Sequence, residues 1–155
     1  MPKSDFPSQD RGMRVLKRED LDAIVAIDEI VAKQNRREYY QRKISAILDP
    51  SRSINSSIVC EIRGKVAGFI MGDVYFGEFG IPETSATIDT LGVHPDYQNR
   101  GVASDMLDQF MMNMKAAGVN KVYTLVNWDD FALEKFFSRH KFVPSKRINL
   151  EYQVQ

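Results

Sequence analysis

Apolar residues recur along the chain with one of two periods, and the changes of period mark its elements. Met13 to Leu16 reads as a short strand. Asp20 then stands as an N-cap before a helix whose apolar face is Leu21, Ile24, Val25, Ile27 and Val31. A second helical stretch, about 37–48, turns Tyr40, Ile44, Ile47 and Leu48 inward and ends at Asp49-Pro50, because the residue before a proline avoids the helical region. The pattern then becomes strand-like. Ser57 to Ile62 is a strand, Arg63-Gly64-Lys65 a tight turn, and Val66 to Val74 the returning strand, interrupted by Gly68 and Gly72. Residues 75–84 form a loop carrying aromatics, and Ala86 to Val93 is a further strand ended by His94-Pro95.

The longest helical pattern begins near Gly101, with Val102, Met106, Leu107, Phe110, Met111, Met114 and Ala117 at helical spacing and Gly118 as its stop. Val122 to Val126 is a short strand. Asp129 or Asp130 caps a last helix with Leu133, Phe136 and Phe137 on its buried side, and Phe142-Val143 and Ile148 to Tyr152 are expected to pair as final strands. The predicted order is βααβββαβαββ, an α/β domain with a mixed central sheet and flanking helices. Residues 1–12, polar and containing two prolines, read as a flexible leader, and 13–155 as a single domain.

Composition narrows the classes. The chain has 155 residues, 43% of them hydrophobic, enough for one sizeable core. Lys+Arg and Asp+Glu number 21 each, so the basic surplus of a general nucleic-acid binder is missing. No apolar run reaches membrane-spanning length, and the start lacks a signal peptide's apolar core, so a cytoplasmic setting is expected. The single cysteine, Cys60, excludes an intrachain disulfide, and with two separated histidines, His94 and His140, no zinc site is expected.

The chemistry concentrates in Leu91-Gly-Val-His-Pro-Asp-Tyr-Gln-Asn-Arg-Gly-Val-Ala103. A strand ends at a proline, a polar loop follows, and Gly101 opens the long helix. Small residues at a helix start let an anion approach free backbone N–H groups at the positive end of the helix dipole. Gly101 and Ala103 suit such an approach, and Gln98 and Arg100 add side-chain donors; an ordinary strand-loop-helix connection would look the same. Neither a G-x-G-x-x-G nor a G-x-x-x-x-G-K-S/T motif is present, so dinucleotide and nucleoside-triphosphate folds are unsupported.

Gln98-Asn99-Arg100-Gly101-Val102-Ala103 resembles the Q/R-x-x-G-x-G/A signature of the GNAT N-acetyltransferases, and Val93-His94-Pro95 resembles the V-x-P before it. The element order fits that family from about Met13 to Tyr152. The stretch from Asp130 to Phe142 is similar to the family's N-x-x-A-x-x-L-Y-x-x-x-G-F. The resemblance implies a loop and helix start, Gln98, Asn99, Arg100, Gly101, Val102 and Ala103, that hold the pyrophosphate of acetyl-CoA, the acyl donor. It implies backbone donors from Leu91, Gly92 and Val93 toward the acyl oxygen, and it assigns Asp130 and Phe137 to the cofactor side. It also implies direct transfer to an amine: a protein N-terminus, a lysine or a small amine.

The sequence departs from the family at several places. The tyrosine proposed in many members as general acid falls on Phe137, which has no proton to give. Asparagine, alanine and glycine of the pattern fall on Asp130, Leu133 and Lys141. Either another group protonates the thiolate, or it leaves unprotonated, or the chain is a catalytically weak or regulatory acyl-CoA binder. Asp89 is the first candidate for a substrate-side carboxylate, with period two placing it on one face with Leu91 and Val93; Glu78 and Glu83 in the loop are further candidates. Tyr75, or Tyr123, could replace the missing acid. Tyr39, Tyr40, Tyr75 and Phe79 are expected as acceptor-site walls, with core as the alternative for Tyr40.

Between Lys65 and Arg100 there is no Lys or Arg, while Asp73, Glu78, Glu83, Asp89 and Asp96 lie there. A pocket built from this stretch would attract a cation. Residues 33–43 hold Lys33, Arg36, Arg37, Arg42 and Lys43 against Glu38, either a solvated face or a surface for an acidic partner. Met106, Met111, Met112 and Met114 are helix packing or a homodimer surface, and Trp128 packs on the cofactor or caps the core.

Overall fold

A computed structural model describes residues 10–51 and 54–155. It contains strands β1 (Arg11–Val15), β2 (Ile58–Ile62), β3 (Lys65–Phe76), β4 (Thr84–Val93) and β5 (Lys121–Thr124). The helices are α1 (Leu21–Ala32), α2 (Arg37–Ile47), α3 (Val102–Ala116) and α4 (Phe131–Arg139). The strands follow chain order in one sheet; β1 to β4 pair antiparallel, and β4 pairs parallel with β5. The mixed sheet with flanking helices is the predicted class.

Residues up to Leu125 form one compact unit and those from Val126 onward another. In the first unit, β3 decides how the helices pack. Phe69 and Met71 join Leu16, Ile24, Ile27, Tyr40 and Ile44 in one buried cluster, with the Tyr40 and Phe69 rings edge-on at 5.9 Å. Gly68 and Gly72 alternate with them and face α3: a Cβ at Gly68 would lie 2.9 Å from Met106 Cε, and one at Gly72 2.9 Å from the Phe110 ring. These glycines let α3 settle close to the sheet. Arg63 and Gly64 both have positive φ, 51° and 75°, as a two-residue hairpin between β2 and β3 requires.

Polar groups fix the helix pair. Asp28, buried on α1, accepts from Arg36 Nε at 2.8 Å and from the Tyr40 hydroxyl at 2.9 Å. The Arg36 hydrogen bond holds the Asp28 carboxyl below its ordinary value against the opposing effect of burial, with the Tyr40 bond helping. Asp20 precedes α1 as expected but does not cap it; its carboxylate accepts from the Lys17 N–H and, through both oxygens, from Arg14.

Several expectations are corrected. Arg11 and Gly12 belong to β1 rather than to a leader; residues 1–9 lie outside the described residues. Tyr75 and Phe76 continue β3 instead of opening the loop. Val31 and Met111 are exposed, because each helix buries a narrower stripe than its apolar pattern suggests. Ala117 is exposed beyond the last turn of α3. Tyr40 is core, fully buried. In the second unit the expected final strands are not formed; Val143, Ile148, Leu150 and Tyr152 are exposed in irregular chain, since alternation gives a strand only where a neighbour supplies hydrogen bonds.

Candidate active site

Strand β4 carries the site along its length. At its exit the His94 N–H donates to the Ala67 carbonyl at 2.8 Å, pinning the turn to β3. A single 3-10 turn, Pro95–Tyr97, follows, with the Asp96 N–H capped by His94 Nδ1 at 3.1 Å. The Gln98 amide donates to the Val93 carbonyl at 3.0 Å, so this side chain holds the loop closed. Asn99 (φ 60°) and Gly101 (φ 79°) then take the left-handed conformation and turn the chain into α3. The helical ladder opens with the Asp105 N–H on the Gly101 carbonyl at 2.9 Å, so the N–H groups of the preceding turn, from Val102 to Ala103, project from the helix end. Gly101 is exposed; a Cβ there would find nothing nearer than Arg11 Nη1 at 3.7 Å. This cradle and the helix dipole suit an anionic group such as a pyrophosphate.

Arg11 closes the back of the loop. Its guanidinium donates to the Arg100 carbonyl and pairs with Asp105 in the first turn of α3, with its side chain only 9% exposed. Residue 11 carried no signal for this role, because the pairing joins positions far apart in sequence. Gly92 has a packing reason to be glycine: a Cβ would come within 2.7 Å of the Phe69 ring.

Midway along β4 the strand changes character. Thr90 pairs with Met71 and Ile88 with Gly72, which leaves Asp89 as an extra residue, a β-bulge. The bulge reverses the alternation. Leu91 and Val93 pair with Ile70 and Gly68 on the α3 face, whereas Asp89 reaches Lys43 of α2 on the other. The expectation that Asp89, Leu91 and Val93 share a face is therefore overturned. The bulge also falls where two strands part: β5 pairs with β4 only over Ser85 to Ile88, and beyond this β4 runs from Asp89 to Val93 with no strand on that side among the described residues.

Around Asp89 the structure gathers Tyr75, Thr87, Lys43 and Tyr39. Thr87 Oγ1 is 3.5 Å from both the Tyr75 hydroxyl and Asp89 Oδ1. A hydroxyl has one proton, so a consistent chain runs from the Tyr75 O–H to Thr87 and from Thr87 to Asp89. Lys43 Nζ donates to Asp89 Oδ2 at 2.7 Å and lies 5.7 Å from the Tyr39 ring centroid. Burial alone would lower the Lys43 pKa, but the hydrogen bond and charge of Asp89 outweigh it and raise it. The stretch free of Lys and Arg thus receives its cation from α2, and the expected one-sided negative pocket is corrected. Glu78 and Glu83 are exposed in the β3–β4 turn, Phe79 is exposed beside Glu78, and Tyr123 is half-buried on β5. In the second unit, Asp130 caps α4 by accepting from the Leu133 N–H at 3.1 Å, and Phe137 is buried with its ring 5.0 Å from that of Phe142. Trp128 is exposed.

The model of the acetyltransferase (GNAT) family matches residues 19–142. An acetyltransferase of Sodalis glossinidius is 30% identical over 112 residues, covering 70% of this chain and 67% of its own. Among solved structures, a ribosomal-protein-alanine N-acetyltransferase from Brucella melitensis has a TM-score of 0.73 at 12% identity, covering 94% of this chain and 99% of its own. An aminoglycoside N-acetyltransferase in complex with CoA has a TM-score of 0.76 at 12% identity, covering 92% and 94%. No helix among the described residues is long and apolar enough to cross a membrane.

Proposed function

The chain belongs to the GNAT acetyltransferase family, and on that premise we propose that it transfers an acetyl group from acetyl-CoA directly to an amine. The observation that carries this reading is the continuity of β4 with the cradle at the start of α3. Val102 and Ala103 offer backbone N–H groups to the pyrophosphate, with Gln98, Asn99 and Arg100 forming the loop and Gly101 leaving room. The unpaired edge of β4 from Leu91 through Gly92 to Val93 offers backbone groups to the acyl oxygen, where negative charge develops. Acetyl-CoA supplies an activated thioester. Every other contribution is one of placement and of proton handling.

The amine must lose a proton before it attacks, since an ammonium has no lone pair. Asp89 is too weak a base to take that proton outright: against an amine near pKa 10 the transfer is uphill by about six pK units. Asp89 instead holds the ammonium, and loss of its proton to water gives the small neutral fraction that attacks. Thr87 and Tyr75 extend the hydrogen-bond chain from Asp89, and Tyr75 can serve as an acid in place of the one Phe137 lacks only by releasing Thr87. A thiol's ordinary pKa near 8.5 also makes an unprotonated leaving group tolerable. Titration of the folded protein with acetyl-CoA, followed by product analysis on a panel of amines, tests the proposal. Acetyl-CoA binding with acetylated product supports it. Binding without product on any amine favours the regulatory acyl-CoA binder to which Phe137 points.

A further inference from the structure

The ion pair between Lys43 and Asp89 restricts what kind of amine can use this site, an argument that rests on the acetyl-transfer reading above. The two side chains are 20% and 28% exposed, and their atoms meet at 2.7 Å. The pair is partly exposed, so breaking it costs little by itself, but a displaced Lys43 still leaves its positive charge beside the incoming ammonium. A simple cationic amine that takes the Asp89 carboxylate must displace the Lys43 ammonium and leave it without its partner. An acceptor that carries a carboxylate a few ångströms from its amine avoids that cost. Its ammonium replaces Lys43 at Asp89 while its carboxylate receives Lys43, so both pairs persist in exchanged form.

The surroundings of Lys43 suit such an acceptor. Glu38, Tyr39, Arg42 and Lys43 line a shallow, open recess on α2. Arg42 brings a second cation to the same recess, and arginine's planar fork matches a carboxylate well. Tyr39 forms a flat wall held between two cations, with Arg36 Cζ 5.6 Å and Lys43 Nζ 5.7 Å from its ring centroid. Arg36 itself is committed to Asp28. A polyamine or other polycation would meet two cations, Lys43 and Arg42, against the one anion of the recess, Glu38.

We propose that the acceptor is a small zwitterionic amine of amino-acid type, its ammonium held by Asp89 and its carboxylate by Lys43 with Arg42. The test uses the full chain, matched amino acids and their amides, and spermidine, with CoA release as the readout and acetyl-CoA affinity measured separately by titration. The amides have the less basic amine, so intrinsic reactivity favours them and a preference for the acids must come from the site. The acids should exceed their amides in kcat/KM by at least about tenfold. Lys43→Gln should erase most of that ratio through KM, and Lys43→Arg should keep it. Preference for amides or spermidine, an unchanged ratio in folded Lys43→Gln, or acetyl-CoA binding with no turnover of any acid overturns the zwitterion proposal while leaving acetyl-CoA binding intact. Failure to bind acetyl-CoA overturns the acetyl-transfer reading and this one with it.

Discussion

The Arg11 guanidinium bonds to Asp105 across a separation of 94 positions, joining the first strand of the sheet to the first turn of α3. The same group holds the Arg100 carbonyl, so the loop before α3 is braced from behind by an edge strand. Arg11→Met keeps most of the stem and removes the brace. Acetyl-CoA affinity should fall several-fold and stability by about 1–3 kcal/mol, since Asp105 is half-exposed and rehydrates. Titration and denaturant unfolding measure the two effects; unchanged acetyl-CoA affinity in the folded variant would show that the loop organises itself without the brace.

Gly101 sits at φ 79°, and a Cβ there would touch Arg11 Nη1 at 3.7 Å. Gly101→Val adds a branched side chain in the left-handed region and covers the approach to the first N–H groups of α3. Acetyl-CoA affinity should drop by more than about tenfold, or 1.4 kcal/mol, while the fold survives with a modest loss of melting temperature. Equal affinities for the wild type and the variant would remove this loop from the cofactor site.

Asp89→Asn separates holding the acceptor from holding the donor. It should lower kcat/KM for the amine by more than about tenfold and leave acetyl-CoA binding nearly unchanged. It also removes the interaction that raises Lys43, so the lysine should titrate at lower pH in the variant, which NMR of its side chain can follow. Wild-type activity should rise with pH toward the pKa of the amine itself. Unaltered kinetics across pH in a folded variant would make Asp89 a purely structural residue of the bulge.

Phe137→Tyr supplies the hydroxyl of the family pattern that the sequence resembles. If thiolate departure needs no acid from that position, turnover should change by less than about tenfold. A far larger gain would mean that the native chain lacks an acid it can use and would move the reading toward a regulatory binder.

Asp28 makes an acid-side prediction. Its carboxyl is held below the ordinary value in the folded state, so its contribution to stability is full above the unfolded pKa and disappears as pH falls through the folded one. The thermal midpoint of the wild type should therefore decline below about pH 4. In Asp28→Asn the midpoint should start lower, by an amount equivalent to about 1–3 kcal/mol, and the decline should be shallower. Parallel pH curves for the two proteins would contradict this account of how α1 and α2 are joined.

The helices and most strands were legible in the sequence because each buries a repeating apolar set, and the loop before α3 was legible because a strand stopped by a proline and small residues opening a helix are local signals. What stayed hidden depends on partners distant in the chain. Lys43 read as one member of a basic helix face, and nothing local to it announces Asp89 on another element. Arg11 read as leader, since a strand's first residues carry no pattern until the neighbouring strand supplies it. The bulge misled the reading of Asp89 in a specific way: strict alternation was assumed, and one unpaired residue is enough to invert it. The tail from Val143 onward misled in the opposite sense, with alternation present and pairing absent.

The bulge at Asp89 works as a phase shift in an otherwise periodic signal. Upstream of it, exchanging a residue such as Thr87 alters the neighbourhood of α2; downstream, exchanging Leu91 or Val93 alters the neighbourhood of α3. Odd-numbered positions thus face α2 up to the bulge and α3 after it. Deleting a single residue at the bulge would restore strict alternation and move every side chain on one side of it to the opposite face.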